Sequence, residues 1–485
     1  MTKVLVVGGG LAGLVSAREL ARNGFDVTLV ESTDRVGGKA GADVFGTEIR
    51  EHGYHIFPAW YRNVRAILGE LNIGLIDFDQ WHYIKPGGLS NPITMEVPHS
   101  ISTLAKALTK GLLPWPDEVL YWYFVLDMLG EPLSNKATLD QVSRVGMMRG
   151  RWYMTDKIPE MESENVLKAS AIPVYNLSAM TAKIISAYWV RDPMPFLSIL
   201  RGDLQTEFIK PLEASVLAAG VKIHLRETVK ALEVSGGRLS RVTTSDAHGN
   251  VHHHPADEVV MATPLEVTRK LINAQLLALD SDLGNIEHLE AAPMASLHLT
   301  LNRVLPHVPR EHVFLLGGKY GLSFIDQGQN WGLPTTMLSC ISSNFTVLQD
   351  LPAVDQEAAL FEEISQYVGI TRADVQSSTL RPNTDVPLFI NTVAAWQNRP
   401  DVHVKGVANL FFAGDWVRNP IDLACMEGAV SAALSCAHAI GRRHHKKIAG
   451  PKKPKSYAPL LLRAAKWAMA PAMVPVYLAA KVFGC

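Results

Sequence analysis

Cysteine is scarce in this 485-residue chain: four residues, at positions 340, 425, 436 and 485. Too few and too scattered for a disulfide framework or a zinc site, they point to a reducing compartment. Charge is also thin. Asp, Glu, Lys and Arg make up 19% of the chain against 47% hydrophobic residues, so a sizeable core rather than a solvated coil is expected. No repeat with a period of about 20–50 residues is present, which excludes solenoids and propellers. Thirty-six Gly and 28 Pro are ordinary usage and exclude collagen-like or low-complexity chains. The opening MTKVLVVGGG has no apolar run leading to a cleavage site, so no secretory signal is expected. At about 100–200 residues per domain, the length predicts two or three folding units.

The net charge of −1 hides an asymmetry. Residues 442–485 hold ten Lys or Arg and no acid, which leaves a body near −11. An acidic body argues against nucleic acid as a partner.

Lys3–Val7 reads as a buried parallel strand. Gly8-Gly9-Gly10-Leu11-Ala12-Gly13 follows at once, then a helical stretch to about Asn23, a stop at Gly24 and a second strand ending at Glu31. Gly8 permits the tight turn, Gly10 lets a pyrophosphate reach the backbone, and Gly13 lets helix and strand pack closely. The helix start at Leu11 and Ala12 offers free N–H groups to phosphate. Glu31 is placed to accept hydrogen bonds from a ribose diol. Asp34-Arg35-Val36-Gly37-Gly38-Lys39-Ala40-Gly41 then adds a second glycine turn with two cations. A nicotinamide dinucleotide has no need of it, whereas the longer FAD can use it: Arg35 to screen a phosphate, Gly38 to lie against the cofactor.

The matching half lies far along the chain. Asn409–Ala413 is another buried-strand run, closed by Gly414-Asp415, and Cys425-Met426-Glu427-Gly428-Ala429-Val430 opens a helix of small residues. Asp415 is suited to ribityl hydroxyls. The helix start near Met426 would aim its dipole at the flavin N1–C2=O edge and favour the reduced ring.

These residues resemble the flavin-containing amine oxidoreductase superfamily, and within it the carotene desaturase and isomerase branch. GGGLAG, Glu31 and RVGGKAG resemble its first signature, and FAGDW with MEGAV its last. Glu51-His52-Gly53-Tyr54-His55-Ile56-Phe57 is similar to the stretch that phytoene desaturases set beside the isoalloxazine, and Pro293–Leu301 to a substrate-domain strand. The loop Trp416–Pro420 departs from the usual desaturase pattern. The resemblance covers about residues 1–440. It implies FAD held by Gly8, Gly10, Leu11, Ala12, Gly13, Glu31, Ser32, Arg35, Gly37, Gly38, Lys39, His55, Ile56, Val229, Gly414, Asp415 and Met426, with His55 and Met426 nearest the ring as catalytic candidates. No metal is implied.

The expected fold class is α/β: a Rossmann-type FAD domain built from segments 1–90, 203–285 and 395–440, and an α+β substrate domain from 91–202 and 286–394. Residues 441–485 form a basic, apolar tail. His252-His253-His254 is expected in an exposed turn rather than a ligand cluster. The aromatic-rich stretch 98–130 suits an access tunnel, a contact with lipid or plain helical core.

Within the tail the longest uncharged stretch, residues 467–480, contains Pro471 and Pro475 and is too short to span a bilayer, which needs about 20 apolar residues. An amphipathic interfacial helix is expected instead, with Trp467 and Tyr477 at headgroup level and Arg463, Lys466 and Lys481 snorkelling. The expected location is the cytoplasmic side of a membrane, held peripherally.

The function expected is an FAD-dependent oxidoreductase that desaturates or isomerises a long apolar isoprenoid, a carotene, by hydride transfer to flavin N5, with quinone or oxygen as the final acceptor. The rivals are the same chemistry on a hydroxysqualene-type triterpene or an unsaturated fatty acid, an amine or protoporphyrinogen oxidase, and a non-enzymatic lipid carrier like the Rab GDP-dissociation inhibitors.

Overall fold

The computed structural model describes residues 1–45, 48–98, 100–109, 111–455 and 457–483. Five short strands, β1 (Lys3–Val7), β2 (Asp26–Val30), β3 (Lys222–His224), β4 (Glu258–Met261) and β5 (Leu410–Phe412), form one parallel sheet in the order β5-β4-β1-β2-β3. The strands that share it are up to four hundred residues apart. Both faces of β1 are covered, which is why Val4 to Val7 are all buried and all apolar. Helix α1 (Leu11–Arg22) returns over the sheet and ends before Gly24, whose φ of +75° is a conformation that favours glycine. Four further helices matter below: α2 (Arg62–Glu70), α3 (Asp117–Gly130), α4 (Met426–Arg443) and α5 (Pro459–Phe483). Leu14 and Ala17 of α1 share one apolar core with Ala433 and Ala437 of α4. Small side chains on the second helix let the two backbones approach.

A seven-stranded sheet forms the other large layer, in the order Val375–Pro382, Ala295–Leu301, Met337–Ser342, Leu322–Asp326, His312–Leu315, Gln80–Ile84 and Ile93–Glu96. Its strands are antiparallel except where Gln80–Ile84 runs parallel to His312–Leu315. The tail end of the expected first cofactor segment, 1–90, therefore belongs to this sheet.

Two expectations are corrected. The His252-His253-His254 run sits on a strand, Val251–His254, paired to Arg238–Ser245, rather than in a turn. There His254 Nε2 lies 2.5 Å from Glu227 Oε1, and no metal-ligating cluster occurs among the described residues. Of the readings offered for the stretch 98–130, helical core holds for α3: Leu120, Tyr123, Phe124 and Met128 are buried, while Trp115 just before it is 61% exposed.

The second correction concerns the tail. Helix α5 runs unbroken through Pro471 and Pro475 and lies along α3, burying Met473 and Ala480. Tyr123 donates its hydroxyl to the Lys466 carbonyl (2.9 Å), and Lys466 Nζ pairs with Asp127 (3.0 Å), so this lysine is anchored inward and not free to snorkel. The opposite face of α5 exposes Leu460, Leu461, Trp467, Met469, Val474, Leu478 and Val482. No helix among the described residues is long and apolar enough to cross a membrane.

Candidate cofactor and active site

The glycine turn after β1 is built as its spacing predicts. Gly8 has a φ of +104°, and a Cβ there would meet the Ala262 carbonyl oxygen at 2.6 Å. A Cβ on Gly13 would fall 1.9 Å from the Gly8 carbonyl oxygen, so α1 packs on β1 with no room for a side chain. Gly10 is different: its Cβ would meet nothing nearer than the Gly38 Cα at 4.0 Å. Gly10 and Gly37 form a backbone bridge, and Gly38 is exposed. The two glycine turns touch, Gly37 N donating to the Gly9 carbonyl (2.8 Å), and together line a groove of bare backbone beside the amino end of α1, where Leu11 and Ala12 begin the helix. That is an anion cradle at a helix start.

Glu31, at the end of β2, accepts from Gly9 N (2.6 Å) and Thr33 N (2.8 Å), with Ser32 Oγ 3.2 Å away. These donors fix its carboxylate at the rim of the groove. Arg35 and Lys39 are less available than the sequence suggests. Arg35 Nε donates to Asp43 Oδ1 (2.8 Å), and Arg381 binds the same carboxylate, while Lys39 Nζ donates to the Pro387 carbonyl (2.6 Å). Two guanidinium groups hold the Asp43 carboxyl below its usual range against the opposing effect of burial. Val229, half-buried, follows the segment in which Glu227 N donates to the Glu31 carbonyl (2.8 Å), so it stands close to the Glu31 end of the groove.

The distant half comes to the same place. Ala413 N donates to the Met261 carbonyl (2.9 Å), Ala262 N to the Val7 carbonyl (2.8 Å), and Trp416 Nε1 to the Thr263 carbonyl (3.0 Å). Gly414-Asp415 therefore leaves β5 one strand away from the Gly8 turn. Among the described residues no hydrogen bond or ion pair reaches the half-exposed Asp415 carboxylate. The loop is clamped from behind by Arg399, which is 1% exposed and donates to the carbonyls of Asp415 (2.7 Å), Trp416 (3.1 Å) and Val417 (2.6 Å). Met426, half-buried, opens α4.

The stretch 51–57 bridges the cofactor region and the seven-stranded sheet. Glu51 is buried; its Oε1 accepts from Leu204 N (2.7 Å), its Oε2 lies 3.3 Å from His55 Nδ1, and its carbonyl accepts from Ser296 Oγ and His298. Tyr54 hydrogen-bonds His312 and Ser323 across the interface, and burial pushes its phenol well up. Burial, helped by the nearby Arg381, holds His52 near 4, so it is neutral at neutral pH. Ile56 packs with Tyr54, Phe78 and Leu197. A narrow crevice here is lined by Glu51, Tyr54, His55, Leu200, Ile325 and Trp331. Tyr61, further along, hydrogen-bonds Cys425, the residue before Met426 at the α4 start.

Sequence reasoning missed Arg399 and the pairing of Asn63 with Glu427, and named Glu51 only as part of its motif. Only Glu427 had a visible signal, a lone acid at the head of an otherwise small and apolar helix.

The side-chain-free groove, the fixed acid at its rim and the unpaired Asp415 carboxylate fit FAD. The family model for flavin containing amine oxidoreductase matches residues 11–441. The chain is 23% identical to a 15-cis-phytoene desaturase of an Oncidium hybrid cultivar, across 92% of this chain and 79% of that one. It is 24% identical to the 15-cis-phytoene desaturase of Synechococcus elongatus, across 90% of this chain and 95% of that one. Among solved structures, the cyclohexylamine oxidase of Brevibacterium oxydans superposes with a TM-score of 0.68 at 15% identity, covering 92% of this chain and all of that one.

Proposed function

The chain belongs to the flavin-containing amine oxidoreductase family and is an FAD-dependent oxidoreductase, and we propose that it desaturates or isomerises a long apolar isoprenoid, a carotene. One observation carries the choice of substrate: similarity to phytoene desaturases extends over nine-tenths of the chain. The likeness to amine oxidases, at 15% identity, is one of fold.

In this reading the cofactor domain takes residues 1–79, 203–285 and 395–440, and the seven-stranded sheet with the helices of 91–202 holds the substrate. Gly8, Gly10 and Gly13 with the α1 start carry the pyrophosphate, Glu31 and Val229 the adenosine end, Asp415 the ribityl chain, and Met426 with the α4 dipole the flavin edge. Bound FAD supplies the acceptor for a hydride from an allylic C–H. The chain's own task is to hold the hydrocarbon in register, which turns a bimolecular encounter into a local one. The Tyr54, Ile325, Leu200 and Trp331 crevice excludes water around it. His55 takes the neighbouring proton: Glu51 engages Nδ1, which leaves Nε2 as the accepting atom and stabilises the imidazolium that forms.

A hydrocarbon of this kind resides in a bilayer, and the exposed apolar face of α5 suits an interfacial contact on the cytoplasmic side of a membrane, from which quinone or oxygen collects the electrons. Incubating the holoenzyme with phytoene in liposomes tests the reading. A red-shifted polyene spectrum or a changed cis/trans pattern supports it; unchanged phytoene, with amine turnover in its place, rejects it.

A further inference from the structure

The α4 amino terminus is tied to the tail through one buried amide. Glu427, fully buried one residue after Met426, accepts from Asn63 N (2.9 Å), Asn63 Nδ2 (2.7 Å) and Val64 N (2.9 Å). Asn63 and Val64 lie in the first turn of α2, whose preceding residue, Tyr61, makes no side-chain cap. The carboxylate on α4 therefore supplies the cap that α2 lacks.

Asn63 is 2% exposed and fully used. The second Nδ2 proton goes to the Lys452 carbonyl (3.0 Å), and Oδ1 accepts from Lys452 N (2.7 Å). The amide sits this way round because the Lys452 N–H can only donate, so Oδ1 must face it and Nδ2 must face Glu427 and the Lys452 carbonyl. The segment around Lys452 is held along its length. Lys446 Nζ donates to the carbonyls of Asn23 (2.7 Å) and Gly24 (2.6 Å), Arg62 to the Lys453 carbonyl (2.6 Å), Lys455 pairs with Asp192, and Tyr457 accepts from the buried Lys183 (2.7 Å). Residues 446–455 are thus a strap over the end of α1, the start of α2 and the flank of α4, where His438 Nδ1 lies 2.7 Å from the Ile448 carbonyl oxygen. Burial raises the Glu427 carboxyl to about 7, so its charge depends on the donors Asn63 brings.

We propose that Asn63 is a positioning residue through which the strap sets the placement of the α4 amino terminus, and with it the affinity and reduction potential of the flavin. The inference rests on the reading that this terminus faces the flavin. A strap that moves when α5 engages its surface would change the cofactor's environment without touching it.

The test is a double-mutant cycle on the holoenzyme, reading the FAD dissociation constant and reduction potential. Its members are Asn63→Ala, Lys452→Pro and the pair. Lys452→Pro removes the N–H that Asn63 Oδ1 accepts while the whole tail stays present. Asn63→Ala is expected to weaken FAD about tenfold, as the loss of a hydrogen bond to a buried charge does. Lys452→Pro is expected to shift the flavin potential in the same direction, and the pair to do no more than Asn63→Ala alone. Independent, multiplying effects overturn the proposal, as does an unmoved potential in Lys452→Pro. Wild-type protein that binds no FAD defeats instead the cofactor reading beneath it. If Asn63→Ala fails to fold, Asn63→Ser keeps the cycle readable.

Discussion

A methyl group on Gly13 would lie 1.9 Å from the Gly8 carbonyl oxygen, closer than any two such atoms can approach. Three residues earlier the space is open: a Cβ on Gly10 would sit 4.0 Å from its nearest neighbour, and its φ of −69° with ψ of 179° is backbone that any residue adopts. The same motif thus contains a glycine required by the fold and another that only the cofactor requires. Gly13→Val is expected to destabilise the protein by about 3 kcal/mol or more through overpacking. Gly10→Val is expected to keep the wild-type melting temperature of the apoprotein and to purify colourless. Thermal unfolding with flavin absorbance separates the two; a yellow, stoichiometric Gly10→Val contradicts the placement of the phosphates.

Acid is expected to unfold the protein early. Burial holds His298 and His52 near 4 and His312 near 3, all below the ordinary 6.5. Between these values and 6.5 the unfolded chain binds the protons that the fold refuses, so stability falls as pH falls. Each group costs about 1.4 kcal/mol per pH unit in the middle of its window. Glu427 acts in the opposite direction, because its raised pKa of about 7 makes the fold the better proton acceptor between 4.5 and 7. Burial also raises the carboxyls of Glu118, Asp140, Asp326 and Glu363, which act with Glu427 from their ordinary range upward, while the three histidines set the slope nearer 6.5. The melting temperature should drop steadily from pH 6.5 to 5, and His298→Gln should reduce the slope if the variant folds. A flat profile contradicts the burial of these rings.

The outer face of α5 offers a separation of membrane binding from folding. Leu461, Trp467 and Leu478 are 72%, 62% and 58% exposed. Changing all three to Ser is expected to alter stability little, since surface positions usually stay within about 0.5 kcal/mol each. Co-sedimentation with anionic liposomes is expected to fall strongly. Binding that persists in the triple variant assigns the contact to another surface.

What the sequence disclosed, and what it concealed, follows from how local each signal is. GGGLAG reads as a phosphate turn because the demands on Gly8 and Gly13 are met by residues beside them in the chain and by one neighbouring strand. The place of Asp415 in the fold, just past a short buried strand, was legible for the same reason. The cap that Glu427 supplies to α2 was not, because Asn63 is 364 positions away and an asparagine in a first helical turn has many local explanations. Lys466 reads as a free cation until Asp127 of α3 is seen beside it. Arg35 and Lys39 stood in the right motif, yet Asp43 and the Pro387 carbonyl already hold them. Periodicity shows which face of a helix is apolar; it does not show which distant charge will cover a polar group.

Anaerobic titration of the flavin tests the substrate assignment most directly. Phytoene, ζ-carotene, hydroxysqualene and putrescine are added in turn to the yellow holoenzyme, with absorbance followed in the visible. The account predicts bleaching by a carotene and none by putrescine. Bleaching by putrescine while both carotenes leave the spectrum unchanged would contradict it.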